Sequence, residues 1–134
     1  MDIQELIDNF SFVDNWEDKY RYIIELGENL PPYPDDYRTE EWKVKGCQSQ
    51  VWLYPNKDEQ NRLYFLGDSD AMIVKGLISI VLTIYNHHTA LEISQIPIDD
   101  IFQKLGLHEH LSPSRRNGLE SMIAKIHFYA MAIK

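Results

Sequence analysis

Apolar positions along the chain recur first at a helical and then at a strand-like period. Ile3, Leu6, Ile7 and Phe10 fall at helical spacing, so a short amphipathic helix is expected to open the chain. A second apolar stripe runs through Trp16, Tyr20, Ile23, Ile24 and Gly27. It follows Asn15, a suitable N-cap, and carries Glu17 and Asp18 in its first turn, where the helix dipole favours carboxylates. Leu30-Pro31-Pro32-Tyr33-Pro34 stops that helix, because proline removes backbone donors and fixes extended backbone. Val44, residues 51–54 and residues 63–66 read as short strands, and the polar stretch Pro55-Asn56-Lys57-Asp58 to Asn61 reads as a hairpin loop. A small three-stranded antiparallel sheet is expected.

Met72–Tyr85 is apolar nearly all the way round, which predicts a buried central helix, and Asp68-Ser69-Asp70 before it offers N-cap oxygens. Short helices are expected over Ala90–Ser94 and residues 99–105, the second closed by Gly106 as a C-cap. Ser112-Pro113 is a cap followed by proline at the first helical position. The stripe Leu119, Met122, Ile123, Ile126, Ala130, Ile133 carries that last helix to the end of the chain. No repeat, linker or low-complexity stretch interrupts the pattern. The expected fold class is α+β, with helices packed on the small sheet.

The 134 residues suit one domain, residues 1–134, able to bury roughly two-thirds of its unfolded surface. A single cysteine cannot form an intrachain disulfide, and the N-terminus lacks the basic start and apolar stretch of a secretory signal. A reducing, cytoplasmic setting is therefore expected. The longest apolar run has fourteen residues interrupted by Lys75, short of the roughly 18 that suggest a membrane span.

Charge is distributed unevenly. Residues 1–42 hold twelve acidic and three basic side chains, net −9, whereas residues 43–134 hold nine and ten, net +1. The total of −8 repels phosphates, so nucleic acid and anionic membranes are not expected partners. The acidic first third serves solubility or steers a basic protein partner.

Cys47 lies in Lys43-Val44-Lys45-Gly46-Cys47-Gln48-Ser49-Gln50-Val51-Trp52. A lone cysteine is commonly a small buried hydrophobe. Here Gly46 leaves backbone room beside the sulfur, Gln48, Ser49 and Gln50 are too polar for a core segment, and Lys43 and Lys45 would favour a thiolate. A reactive thiol on a supported loop is the expectation. A stand-alone cysteine enzyme, either a thiol peroxidase or a hydrolase using one of His87, His88, His108, His110 or His127, stays open as the alternative. So does an interaction module whose thiol is incidental.

No metal is expected. His87-His88 and His108-Glu109-His110 lack clustered thiols or carboxylates and read as surface histidines, the second group on a loop. One cysteine also falls short of the several thiolates that usually hold an iron–sulfur cluster. Gly67-Asp68-Ser69-Asp70 would repel phosphate rather than bind it. Arg115 and Arg116 occupy the first turn of the last helix, against its dipole, so they either project into solvent or meet a carboxylate of this chain or a partner. Asn117-Gly118 inside that helix implies close packing that offsets glycine's cost of about 1 kcal/mol.

Four ordered motifs then give the chain a family likeness: Trp16-Glu17-Asp18-Lys19-Tyr20 with Ile23-Ile24-Glu25-Leu26-Gly27; Gly46-Cys47-Gln48-Ser49-Gln50-Val51-Trp52; Gly67-Asp68-Ser69-Asp70 with Ile73-Val74-Lys75-Gly76-Leu77; and Leu111-Ser112-Pro113-Ser114-Arg115 with Gly118-Leu119. With these, the chain resembles the SufE/CsdE family of cysteine-desulfuration proteins over nearly its whole length, and Gln48-Ser49-Gln50 is closer to the SufE branch. The resemblance implies a fold like that of SufE and the IscU-type scaffolds. It implies that Cys47 receives sulfane sulfur from a pyridoxal-phosphate cysteine desulfurase, SufS-like or CsdA-like, stimulates that enzyme, and hands sulfur to an iron–sulfur scaffold. No cofactor of its own is implied. Gly46, Gln48, Ser49 and Gln50 would support the loop, and Arg115, Asp70 and Lys75 are candidates for partner docking. A weak homodimer is compatible with this reading.

Overall fold

A computed structural model of the chain describes residues 1–132; Ile133, assigned above to the last apolar stripe, lies outside the described residues. Two helices open the fold, α1 (Ile3–Ser11) and α2 (Trp16–Glu28). Asp2 caps the first by accepting from the Glu5 N–H at 2.8 Å, and Asn15 caps the second by accepting from the Asp18 N–H at 2.9 Å. Leu6, Phe10, Ile23 and Leu26 turn into the core. After the prolines come two 3-10 turns, Asp35–Tyr37 and Glu40–Trp42.

The sheet has three strands in the order β1 (Val51–Lys57), β2 (Arg62–Ser69), β3 (His88–Thr89), both pairs antiparallel. Two details differ from expectation. Val44 is not a strand: its N–H donates to the Val51 carbonyl at 2.8 Å and Lys43 forms an isolated bridge with Trp52, but Gly46 at φ 90° turns the chain away before a ladder can grow. The third strand is instead His88–Thr89, brought beside Arg62 and Leu63 by His87 at φ 68°. The second difference is that β1 continues through Pro55 to Lys57, so the hairpin turn shrinks to residues 58–61. An edge strand tolerates proline because its outward side needs no donor. Asp58 ties the turn by accepting from the Gln60 and Arg62 amides at 2.9 and 3.0 Å, and Asn61 takes the left-handed position at φ 63°.

Helix α3 (Met72–Tyr85) is the core: Leu77, Ile78, Ile80, Val81, Ile84 and Tyr85 are almost completely buried. Its expected cap is absent. Asp68 and Ser69 finish β2, Ala71 holds the cap position without a side-chain bond, and the two aspartates are committed elsewhere. Against α3 lies α2, with Gly27 meeting Gly76 so closely that a methyl group on Gly27 would stand 2.6 Å from the Gly76 nitrogen.

Short helices α4 (Ala90–Ser94), α5 (Ile98–Leu105) and α6 (Leu107–His110) follow, with Gly106 at φ 69° as the C-cap of α5. The histidine segment expected as a loop is thus α6, nucleated directly after that glycine. Its His108 is not a surface residue in full, because the ring packs on Phe102 and Nε2 is buried without a partner. Helix α7 (Pro113–Ala132) starts as expected, Ser112 Oγ accepting from the Arg115 N–H at 3.3 Å, and buries Leu119, Met122, Ile126 and Ala130. The result is a three-stranded antiparallel sheet with helices packed on it, an α+β fold. Among the described residues, no helix is long and apolar enough to cross a membrane.

Candidate functional site

Cys47 sits on the bend between the Lys43–Trp52 bridge and β1, directly after the turn made by Gly46. Two features hold Gly46 to glycine. Its φ of 90° disfavours any side chain, and a Cβ would lie 2.8 Å from Ser121 Oγ on α7. The loop is therefore pressed against α7 at its start. At its end, Asp70 Oδ1 accepts from the Gln50 N–H at 3.1 Å, fastening residue 50 to the corner between β2 and α3.

Between these fastenings the Cys47 side chain points into the fold. It is half-buried in a small hollow whose apolar wall is Val51, Val74, Leu77, Leu119 and Met122, from β1, α3 and α7. Gln48, Ser49, Ser114 and Arg115 form the rest of the lining. The thiol donates weakly to the Gly118 carbonyl, Sγ to O 3.6 Å. A Cβ built on Gly118 would lie 3.6 Å from Sγ, ordinary van der Waals contact, so the helix packs directly against the cysteine there. The close packing expected of Gly118 is thus packing against Cys47.

Burial pushes the Cys47 thiol above its ordinary pKa. This corrects the expectation that Lys43 and Lys45 would favour the thiolate. Lys43 is paired with Glu40 at 3.5 Å, and both lysines line a separate hollow on the other side of Gly46, so desolvation is the cause that remains. Among the described residues the thiol's hydrogen-bond partner is a carbonyl, which accepts, and no histidine stands with it as a base. Nor do the described residues include a group of three or more histidine, cysteine or acidic side chains placed to hold a metal ion.

The structure therefore brings Cys47, Gln48, Ser49 and Arg115 to one hollow, with Gly46 and Gln50 fixing the two ends of the loop and Asp70 holding the second. Lys75 is not in the lining of that hollow; its ammonium lies 3.7 Å from Asp68. Three contributors carry no site signature that the sequence alone resolves. Met122 and Gly118 reach the hollow only because α7 packs over the loop, although a glycine inside an otherwise good helix is a usable signal for Gly118. Arg38 has no local motif around it. It bonds the nearly buried Asp68 and lies over the rings of Tyr33 and Trp52, at 5.3 and 5.6 Å, linking the segment before the cysteine to β2.

Comparison with known proteins agrees with this architecture. The SufE family, described as an Fe-S metabolism associated domain, matches residues 4–130. An uncharacterized SufE-like protein of Rhizobium meliloti (strain 1021) is 54% identical over 127 residues, covering 92% of this chain and 91% of that protein. Another from Rhizobium etli is 50% identical over 127 residues, covering 92% and 86%. A hypothetical protein from Thermus thermophilus, solved in solution, superposes with a TM-score of 0.74 at 18% identity, covering 97% of this chain and 96% of that one, and so shares the fold. With a family match across nearly its whole length and two relatives at half identity or better, the chain belongs to the SufE family of Fe-S metabolism associated domains.

Proposed function

We propose that this protein is a sulfur relay: Cys47 accepts sulfane sulfur from a pyridoxal-phosphate cysteine desulfurase and passes it to an iron–sulfur assembly scaffold. The observation that carries the reading is a lone thiol held in an apolar hollow next to a carbonyl, with a loop fastened at both ends and a cation at the rim. Thiol exchange needs no cofactor here. The Cys47 thiolate attacks the terminal sulfur of the donor persulfide, the donor S–S bond breaks, and the donor cysteine leaves as thiolate, which takes up the proton that Cys47 lost. The same exchange at the acceptor returns Cys47 to the thiol. No net oxidation occurs at either step.

The raised thiol pKa favours storage over attack in the free protein. Docking has to draw the side chain out of the hollow, and uncovering a cysteine-sized apolar group costs on the order of 1 kcal/mol, within reach of a protein interface. Gly46 supplies the backbone freedom for the swing. Arg115, on the rim of the hollow, faces the anionic sulfur of a Cys47 persulfide or a carboxylate of the partner.

Mass spectrometry after incubation with a cysteine desulfurase and cysteine tests the proposal: Cys47 gains about 32 Da per sulfur and Cys47→Ser gains nothing. The serine variant folds normally yet no longer stimulates the desulfurase. Stimulation that survived in it would replace the relay with an allosteric activator. Arg115→Ala lowers stimulation without lowering the melting temperature; if both stayed at wild-type values, Arg115 would be only a solvent-facing side chain.

A further inference from the structure

The second hollow beside the cysteine loop lies on the opposite side of Gly46 and is open to solvent. One wall is the segment Lys43-Val44-Lys45, the other is α7 from Ser121 to Phe128, and the buried Val44 with Ala124 makes an apolar floor. Its cations outnumber their local partners. Its lining holds Lys43, Lys45 and Lys125 against Glu40 and Glu41, and Glu40 is paired with Lys43 at 3.5 Å. Lys45 and Lys125 have no carboxylate within 4.0 Å among the described residues. The Lys125 ammonium instead lies 5.0 Å from the Phe128 ring centroid and 5.1 Å from that of Tyr129. Phe128 is itself 59% exposed, an aromatic ring in water at the end of a helix whose other face forms the core.

Two unpaired lysines, an apolar floor and an exposed aromatic side chain together suit a protein segment that offers carboxylates next to an apolar side chain. A bare polyanion would leave Phe128 and the floor unused. Lys45 precedes Gly46 in the chain and Ser121 packs on Gly46, and both line the groove, so a segment seated there abuts the start of the cysteine loop. We infer that this groove is a docking surface for an acidic, extended segment of the cysteine desulfurase, which it captures through Lys45, Lys125 and Phe128 before sulfur moves. The inference rests on the relay reading for the partner's identity. It adds the place and the chemistry of recognition.

Binding and sulfur loading test it separately. Binding is titrated against the cognate desulfurase with its catalytic cysteine replaced by serine, at low and high salt; loading is read as mass gain on Cys47 with the active enzyme at saturating concentration. The double variant Lys45→Glu, Lys125→Glu is expected to weaken binding by at least about tenfold at low salt and to flatten its salt dependence. Phe128→Ala is expected to weaken binding at both salt concentrations by about fivefold, as removal of an aromatic anchor does. Loading at saturation stays at the wild-type level in all variants, since none touches the thiol. Lys45→Gln with Lys125→Gln, a milder pair that removes the charges but keeps part of the aliphatic stem, gives an intermediate loss, and its wild-type loading at saturation excludes misfolding as the cause. Wild-type affinity and salt slope in the charge-reversed protein would overturn the groove and leave the relay standing. A wild-type Cys47 that never gained sulfur would sink the relay, while the titration would still judge the groove.

Discussion

At the scale of single residues, the thiol is governed by desolvation. Lys43 and Lys45 flank Cys47 in sequence, and spacing alone makes them look like activators. In the fold Lys43 is paired with Glu40 and both lysines line the second hollow, whereas Cys47 lines the first, with Gly46 at φ 90° between them in the chain. Sequence neighbours across such a turn are not electrostatic neighbours. The consequence is a measurable pH profile. With the thiol pKa raised by burial, alkylation of the free protein by iodoacetamide is expected to be slow at neutral pH, and its midpoint is expected above that of an unstructured cysteine peptide. The linkage has a definite sign. The folded state holds the thiol proton more tightly than the unfolded chain, so this group's contribution to stability is complete below the ordinary thiol pKa and declines as pH rises through the raised one. A profile matching the free peptide would mean that the hollow does not shelter the sulfur.

Elements are legible where one local rule decides them and illegible where tertiary structure decides. Asn15, Gly106 and Ser112-Pro113 set helix ends by their own chemistry, and the structure places those ends as expected. The third strand leaves no trace in the pattern because His88–Thr89 has two residues and gains its pairing from the turn at His87 rather than from any apolar alternation. Asp68 and Asp70 look like caps for α3, but stronger partners claim them: Arg38 and Lys75 for the first, the Gln50 amide for the second. Helical glycines illustrate the same division. Gly118→Ala and Gly27→Ala are identical changes by helix propensity, each favouring the helix by about 1 kcal/mol. Their surroundings separate them. At Gly118 the new methyl group meets Sγ at 3.6 Å, ordinary contact, so the melting temperature is expected to rise while sulfur loading of the crowded Cys47 slows. At Gly27 it meets the Gly76 backbone nitrogen at 2.6 Å, and forcing α2 away from α3 is expected to cost about 2 kcal/mol net of the helix gain. Thermal melts of the two variants check both signs.

Across the whole molecule, an acidic first third and a slightly basic remainder meet at one buried ionic centre. Asp68 is 9% exposed, and it holds Arg38 from the segment before the cysteine and Lys75 from α3, so β2, α3 and a stretch distant in sequence converge there. Such a centre lies beyond single-sequence reading, since Arg38 and Asp68 are thirty positions apart with nothing in either neighbourhood to pair them. Removing one partner of a fully buried pair costs roughly 3–5 kcal/mol. Two facts reduce that figure here: the Arg38 side chain is 34% exposed, and Lys75 at 3.7 Å would still face the carboxylate. Arg38→Met is therefore expected to lower stability by about 2 kcal/mol, comparable to the loss of a charge-assisted hydrogen bond, as measured by urea denaturation. Lysine at this position is expected to recover little, because the guanidinium plane lies over both Tyr33 and Trp52 and lysine has no flat cation to match. Since Arg38 lies nine residues before Cys47 and anchors that segment to β2, the methionine variant is also expected to alkylate at Cys47 faster than wild type under native conditions. Unchanged urea midpoint and unchanged labelling would show that the prolines and the Val44–Val51 hydrogen bond suffice to place the loop. A lowered midpoint with unchanged labelling would confine Arg38 to stability, and a change in both would tie the ionic centre to the shelter of the thiol.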